Sequence, residues 1–138
     1  MSWEDYIVTL EQGPAKATYG AIYGHETDPP SVWVQSKNTD KLPITPADVA
    51  QIVRSIKTQD PNLFSNGVKI QKQAFTTLVL EDKLLVCQGK GENKDQALVF
   101  ALTGKTLIIG FNDQPEVKVV GVRSGVQSIQ DHLCAAGY

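Results

Sequence analysis

The apolar residues of this 138-residue chain fall into stretches with helical spacing at three places and two-residue spacing in between. The clearest helical stretch is Val49, Ile52, Val53 and Ile56, which recur at i, i+3, i+4 and i+7. Thr45 stands before it as N-cap, Pro46 occupies the first helical position with its φ already set, and Asp48 completes a capping box. An amphipathic helix with one buried face is predicted, stopped by Asp60-Pro61. Near the amino terminus, Ser2 followed by Asp5 is a second helix start, because hydroxyl and carboxylate both suit the first turn. On a helix from about Trp3, the rings of Trp3 and Tyr6 share one face, and Ile7 and Leu10 point to a neighbouring one. A third helix is expected from the capping pair Ser124 and Gln127, with Val126, Ile129 and Leu133 on its buried side and Gly137 as its stop.

Between these helices the pattern is that of strands. Residues 15–23 alternate Ala17, Tyr19, Ala21 and Tyr23 against Thr18, Gly20 and Ile22, and residues 24–30 are turn material with two prolines. A second strand at 31–36 returns as a hairpin partner, and by periodicity alone its Trp33 reads as a core residue. After a polar link at 37–42 and the Thr45 helix, Asn66-Gly67 marks a tight turn. The segments 68–71, 74–80, 84–88, 97–102 and 106–111 are then β-rich runs joined by short polar or glycine turns. Short joins connect antiparallel neighbours. The expected fold is therefore of the α+β type, with a single antiparallel sheet of about six or seven strands. The first and last helices lie on one face, and a further helix or two, including the Thr45 helix, covers the other.

That arrangement brings Trp3, Tyr6, His132 and Tyr138 within reach of one another. Aromatic rings with polar tips, left at a surface, suit proline-rich ligands. A polyproline II segment keeps its carbonyls bare for indole N–H and phenol O–H donors, and its rings lie flat on aromatic faces.

Composition narrows the classes. Apolar residues at 41% and charged residues at 20% describe a globular chain, and the length suits one domain over residues 1–138. The longest apolar runs are too short to span a bilayer, and Glu4 and Asp5 stand where a signal peptide would be basic, so a cytoplasmic protein is expected. Net charge is −2, which argues against nucleic-acid binding. Residues 1–68 carry five basic and eight acidic side chains and the remainder eight and seven, so the carboxy half is slightly positive. Cys87 and Cys134 lack metal or disulfide spacing and read as small core or subsurface residues. Thr103-Gly104-Lys105-Thr106 ends like a phosphate-binding loop, but the glycine needed five residues before Gly104 is Val99, so a hairpin turn is expected. Gly89-Lys90-Gly91 reads as a turn too. The two histidines, His25 and His132, stand in no nucleophile or metal motif, so neither enzyme, cofactor nor metal site is expected.

The pieces Met1-Ser2-Trp3-Glu4-Asp5-Tyr6, Val32-Trp33-Val34, Ile44-Thr45-Pro46-Ala47-Asp48-Val49, Thr106-Leu107-Ile108-Ile109-Gly110 and His132-Leu133 to Tyr138 together resemble the profilins. The likeness follows the right order and spacing over nearly the whole chain and is weakest across residues 68–94. It implies a monomeric, cytoskeleton-associated protein that binds monomeric actin on one side and proline-rich proteins such as formins on the other, and promotes exchange of actin's nucleotide. By the resemblance the polyproline cleft comprises Trp3, Tyr6, Trp33, His132, Leu133 and Tyr138, and the actin-binding positions are Phe64, Lys90, Lys118, Arg123 and Gln127. Gln88 stands where related sequences carry arginine, and Gln71-Lys72 where they carry two glycines, which lowers the expected affinity for actin. Phosphoinositide lipids are a further expected partner, weakly held, with Lys69, Lys72, Lys90 and Lys94 as a diffuse basic set. The alternative from another class is a scaffold domain of the roadblock or longin type, which shares a sheet between helices and would dimerise or hold small GTPases without affinity for polyproline.

Overall fold

A computed structural model describes residues 2–138; Met1, counted above with the amino-terminal motif, lies outside the described residues. In chain order the elements are α1 (Trp3–Gln12), β1 (Tyr19–Gly24), β2 (Ser31–Gln35), α2 (Pro46–Thr58), α3 (Asn62–Asn66), β3 (Val68–Ile70), β4 (Gln73–Glu81), β5 (Leu84–Gly89), β6 (Ala97–Leu102), β7 (Thr106–Asn112) and α4 (Val119–Ala135). The seven strands form one sheet in the order β2-β1-β7-β6-β5-β4-β3, with every pairing antiparallel. Short turns join β3 to β4, β4 to β5 and β6 to β7, and a loop with a 3-10 turn at Gly91–Asn93 joins β5 to β6, so local connections build most of the sheet.

Capping places α1 and α2 where the sequence puts them. Ser2 N–H donates to Asp5 Oδ2 at 3.0 Å. At α2, Thr45 N–H donates to Asp48 Oδ2 at 3.0 Å while Asp48 N–H donates back to Thr45 Oγ1 at 3.2 Å, the reciprocal pair of a capping box. The last helix differs from expectation. It begins at Val119 rather than Ser124, with Lys118 as an N-cap that makes no side-chain capping bond. Val117 and Val119 pack on the apolar cluster beneath, so tertiary burial starts this helix in place of a polar cap.

Each sheet face is sealed by its own cluster. On one side Val49, Ile52, Val53 and Ile56 of α2 cover Phe100 and Phe111, and on the other Ile7 and Leu10 of α1 join Val122, Val126, Ile129 and Leu133 of α4. Residues of β1, β6 and β7 are therefore buried on both faces. A Cβ on Gly110 would stand 2.4 Å from Val126 Cγ2, so glycine there lets α4 lie directly on β7. The expected alternation holds within β1: Tyr19, Ala21 and Tyr23 face α2, and Ile22 faces α1 and α4. Ala17 does not follow it. It precedes the strand and packs on the α1/α4 side, because Lys16 takes φ +42° and the Ala17 N–H donates to Leu10 O at 2.8 Å.

Cys87 is fully buried in β5, and loss of solvent pushes its thiol from 9.0 up to about 12, only partly offset by the neighbouring Thr77 hydroxyl. Cys134, expected at or below the surface of the core, is exposed on α4. It follows Leu133, which takes the buried position of that turn.

Candidate functional site

Four aromatic side chains and a histidine meet at the end of the α1/α4 layer. The Trp3 ring lies 5.5 Å from Tyr6, 5.0 Å from Trp33 and 5.2 Å from Tyr138 between centroids, and is the hub of the group. Trp33 and Tyr138 are 6.0 Å apart, and Tyr6 lies 5.6 Å from His132. All five pairs are tilted or edge-on, the arrangement that ring quadrupoles favour. Trp33 and Tyr138 keep 37% and 36% of their surface, so ring faces remain open to a ligand. Tyr6 is buried to 7%, and Leu133 is fully buried, supporting the group from beneath rather than lining it.

Each ring is placed by a separate local device. Trp3 and Tyr6 follow from the helical spacing of α1. Trp33 depends on a β-bulge. Val34 stands opposite Ile22, on the α1 side of the sheet, while Val32 stands opposite Tyr23, on the α2 side, which leaves Trp33 as the surplus residue between them. The bulge turns its ring toward Trp3, where regular alternation from Val34 would have aimed it the other way. Gly24 completes this seat: a Cβ there would fall 2.3 Å from Trp33 Nε1, so the indole lies flat on bare backbone.

Tyr138 is brought back by the end of α4. Gly137 takes φ +96° and its N–H donates to Cys134 O at 3.1 Å, while Tyr138 N–H donates to Leu133 O at 2.9 Å. This pair of bonds is a Schellman motif, and it folds the last ring over the helix end toward Trp3. Tyr138 O in turn accepts from the N–H of Lys105, in the turn between β6 and β7.

The residues expected to face actin fall into two groups. Arg123 Nε donates to Gln127 Oε1 at 3.2 Å on α4, and its guanidinium lies 3.5 Å from Glu81 at the end of β4. Phe64 is 54% exposed on α3, and Lys90 lies beside the following turn, its Nζ 3.3 Å from where a Cβ of Gly67 would stand. Lys118, at the start of α4, is exposed and joins neither group by a side-chain bond among the described residues. Two exposed apolar residues near Arg123 and Glu81 in the chain, one on α4 and one on β4, escape the sequence reading. Val120 is 71% exposed one turn before Arg123, and Leu78 is 45% exposed where β4 bulges between Thr77 and Val79. The available signal was an apolar residue on the polar side of each pattern: Val120 outside the Val122, Val126, Ile129 stripe, and Leu78 next to a buried Thr77. Lys69, Lys72, Lys90 and Lys94 are all exposed. Among the described residues no cluster of histidine, cysteine or carboxylate side chains could hold a metal ion, and no helix is long and apolar enough to cross a membrane. The segment from Thr103 to Thr106 is the β6–β7 hairpin turn.

The family model described as Profilin matches residues 1–138. The chain belongs to the profilin family. Among curated relatives, Profilin-2 of Caenorhabditis elegans is 21% identical over 136 residues, covering 99% of this chain and 98% of that protein. Solved profilins share the fold. Acanthamoeba castellanii profilin II aligns with a TM-score of 0.78 at 23% identity, over 99% of this chain and all of the other. Schizosaccharomyces pombe profilin gives 0.78 at 21% identity, again over 99% of this chain and the whole of the other. Mouse profilin IIa, solved in complex with a double repeat from the FH1 domain of mDia1, gives 0.79 at 17% identity with both chains fully covered. The profilins are a non-enzymatic, actin-binding family of the cytoskeleton that also binds polyproline.

Proposed function

We propose that this profilin binds monomeric actin and proline-rich segments at separate surfaces and so regulates filament assembly. The observation that carries the reading is the group of rings around Trp3, with Trp33 and Tyr138 both more than one-third exposed. Such a surface offers flat faces to pyrrolidine rings and indole N–H and phenol O–H donors to bare carbonyls. Trp3, Trp33 and Tyr138 make the open contacts, Tyr6 and His132 extend them along the α1/α4 seam, and Leu133 supports the seam from within.

Actin would be held across the β4–α4 side, where Arg123, Gln127 and the exposed Val120 and Leu78 combine a polar centre with apolar contacts. Phe64 on α3, Lys90 near Gly67, and Lys118 at the start of α4 would supply further contacts. The mechanism is tethering. A proline-rich partner such as a formin holds the actin complex near a filament end and raises its effective concentration there without new chemistry. The protein acts as a single monomeric domain over residues 1–138, in the cytoplasm and at the cytoskeleton. Phosphoinositide head groups would meet only the dispersed lysines 69, 72, 90 and 94, an attraction screened at physiological salt. The scaffold alternative is not favoured by a family match that spans the chain.

Retention on immobilised polyproline followed by co-elution with monomeric actin tests both halves. Failure to be retained would remove the groove from the argument, and retention without actin would remove the second surface.

A further inference from the structure

The β6–β7 turn, whose Gly-Lys sequence found no use as a phosphate loop, is built into the wall of the aromatic groove. Lys105 N–H donates to Tyr138 O at 2.8 Å. A Cβ on Gly104 would stand 3.1 Å from the same oxygen, so the turn approaches as closely as a bare backbone permits. Lys105 Nζ lies 5.9 Å from the Tyr138 ring centroid, over its face. The turn itself is fixed from below. Thr103 N–H donates to Thr106 O at 2.8 Å, Thr106 N–H donates to Thr103 Oγ1 at 3.0 Å, and the two buried hydroxyls are bonded to each other. It is also tied to the strand that seats Trp33: His25 N–H donates to Lys105 O at 3.0 Å and His25 Nε2 meets Thr103 O at 2.9 Å, directly after Gly24.

Tyr138 and Trp33 are therefore held on one bracket, with an ammonium at its rim. Among the described residues the ion pair is Arg123 with Glu81, so no aspartate or glutamate carboxylate lies within 4.0 Å of Lys105 Nζ. A cation over an exposed ring keeps its charge available to whatever next covers that ring. We propose that Lys105 is a specificity-determining residue of the groove, selecting proline-rich segments that carry a carboxylate side chain beside the proline run. The inference rests on the polyproline reading above and adds a ligand class to it: acid-flanked polyproline in preference to base-flanked.

Three decaproline peptides test it, flanked at both ends by Asp-Asp, Gly-Gly or Lys-Lys, titrated at low ionic strength against wild type and Lys105→Glu. Wild type should bind the acid-flanked peptide about 1.5-fold to 5-fold more tightly than the base-flanked one, the range of a solvent-exposed charge pair. That ratio should shrink with added salt and invert in Lys105→Glu, while the glycine-flanked peptide binds both proteins within a factor of about two, as expected for a rim charge. A structural role for the turn alone would shift all three peptides together. If the glycine-flanked peptide binds and the acid-to-base ratio is one in wild type, or is unchanged in Lys105→Glu, the inference is overturned and the polyproline reading survives. If the glycine-flanked peptide fails to bind wild type, both fall.

Discussion

Replacing Gly24 by alanine should abolish most polyproline binding without unfolding the protein. The new methyl would sit 2.3 Å from Trp33 Nε1, 2.5 Å from Cε2 and 2.7 Å from Cζ2, where carbon contacts require about 3.5 Å or more. Gly24 cannot retreat, since it is paired with Thr106 on one side and Ser31 on the other. The indole must therefore leave, taking with it its contacts to Trp3 and Tyr138 at 5.0 and 6.0 Å. Loss of one central anchor costs binding about 2 kcal/mol, roughly a thirtyfold weaker complex. Stability should change far less. Two aromatic pairs worth about 0.5–1.5 kcal/mol each are weakened, and alanine recovers about 0.4–1 kcal/mol by restricting the unfolded chain. The chain's two tryptophans, Trp3 and Trp33, both belong to the groove, so intrinsic fluorescence during a decaproline titration reports on the site directly. Urea unfolding gives the stability on the same samples. Trp33→Ala should match Gly24→Ala, and the double variant should be little worse than either, because both remove the same ring. Wild-type affinity in a folded Gly24→Ala protein would refute the account of how Trp33 is seated.

Trp3→Ala, which deletes the ring shared by three pairs, and Tyr138→Ala should each weaken decaproline binding by about 2 kcal/mol in calorimetry. Gly125→Ala would bring a methyl to 2.7 Å from Ala15 Cβ and 3.0 Å from Ala15 N, and should lower stability by about 1–3 kcal/mol in urea unfolding while decaproline affinity holds. Alkaline stability should fall early. Burial raises the Cys87 thiol from 9.0 to about 12, and Tyr19 and Tyr23 are raised from 10.0, also mainly by burial. The folded chain thus keeps protons that the unfolded chain releases, so this stabilisation is whole below pH 9 and declines as pH rises through 9–12. Thermal midpoints across that window should show the decline, and Cys87→Ala should delay its onset toward the tyrosine range; an unchanged onset would count against the buried thiol as its source.

The parts of this fold that were legible in the sequence are those settled locally. The Thr45–Asp48 box and the Val49, Ile52, Val53, Ile56 stripe fix α2 by side chains within a few residues, and the hairpin turns fix the order of β4 through β7. What could not be read depends on partners far along the chain. The start of α4 looks like Ser124 because that residue resembles a cap, whereas burial of Val117 and Val119 decides for Val119. Ala17 continues an alternation on paper but is turned away by the positive φ of Lys16. For the groove, Trp3 and Tyr6 follow from spacing and the return of Tyr138 is foreshadowed by Gly137, but nothing local marks Trp33 as one of its rings. The resemblance supplied that residue, and the bulge with the bare backbone of Gly24 explains it.

Because Trp33 is one residue more than its partner strand can match, the groove depends on a count as much as on chemistry. Excising Val32 would bring Trp33 opposite Tyr23 and restore an unbroken two-residue rhythm, and the indole would swing to the far side of the sheet with every ring-forming residue still in the chain. Scans that exchange side chains one at a time leave that count untouched. Single-residue deletions along Ser31–Gln35 would expose it, and in this short edge strand they are the more severe lesion.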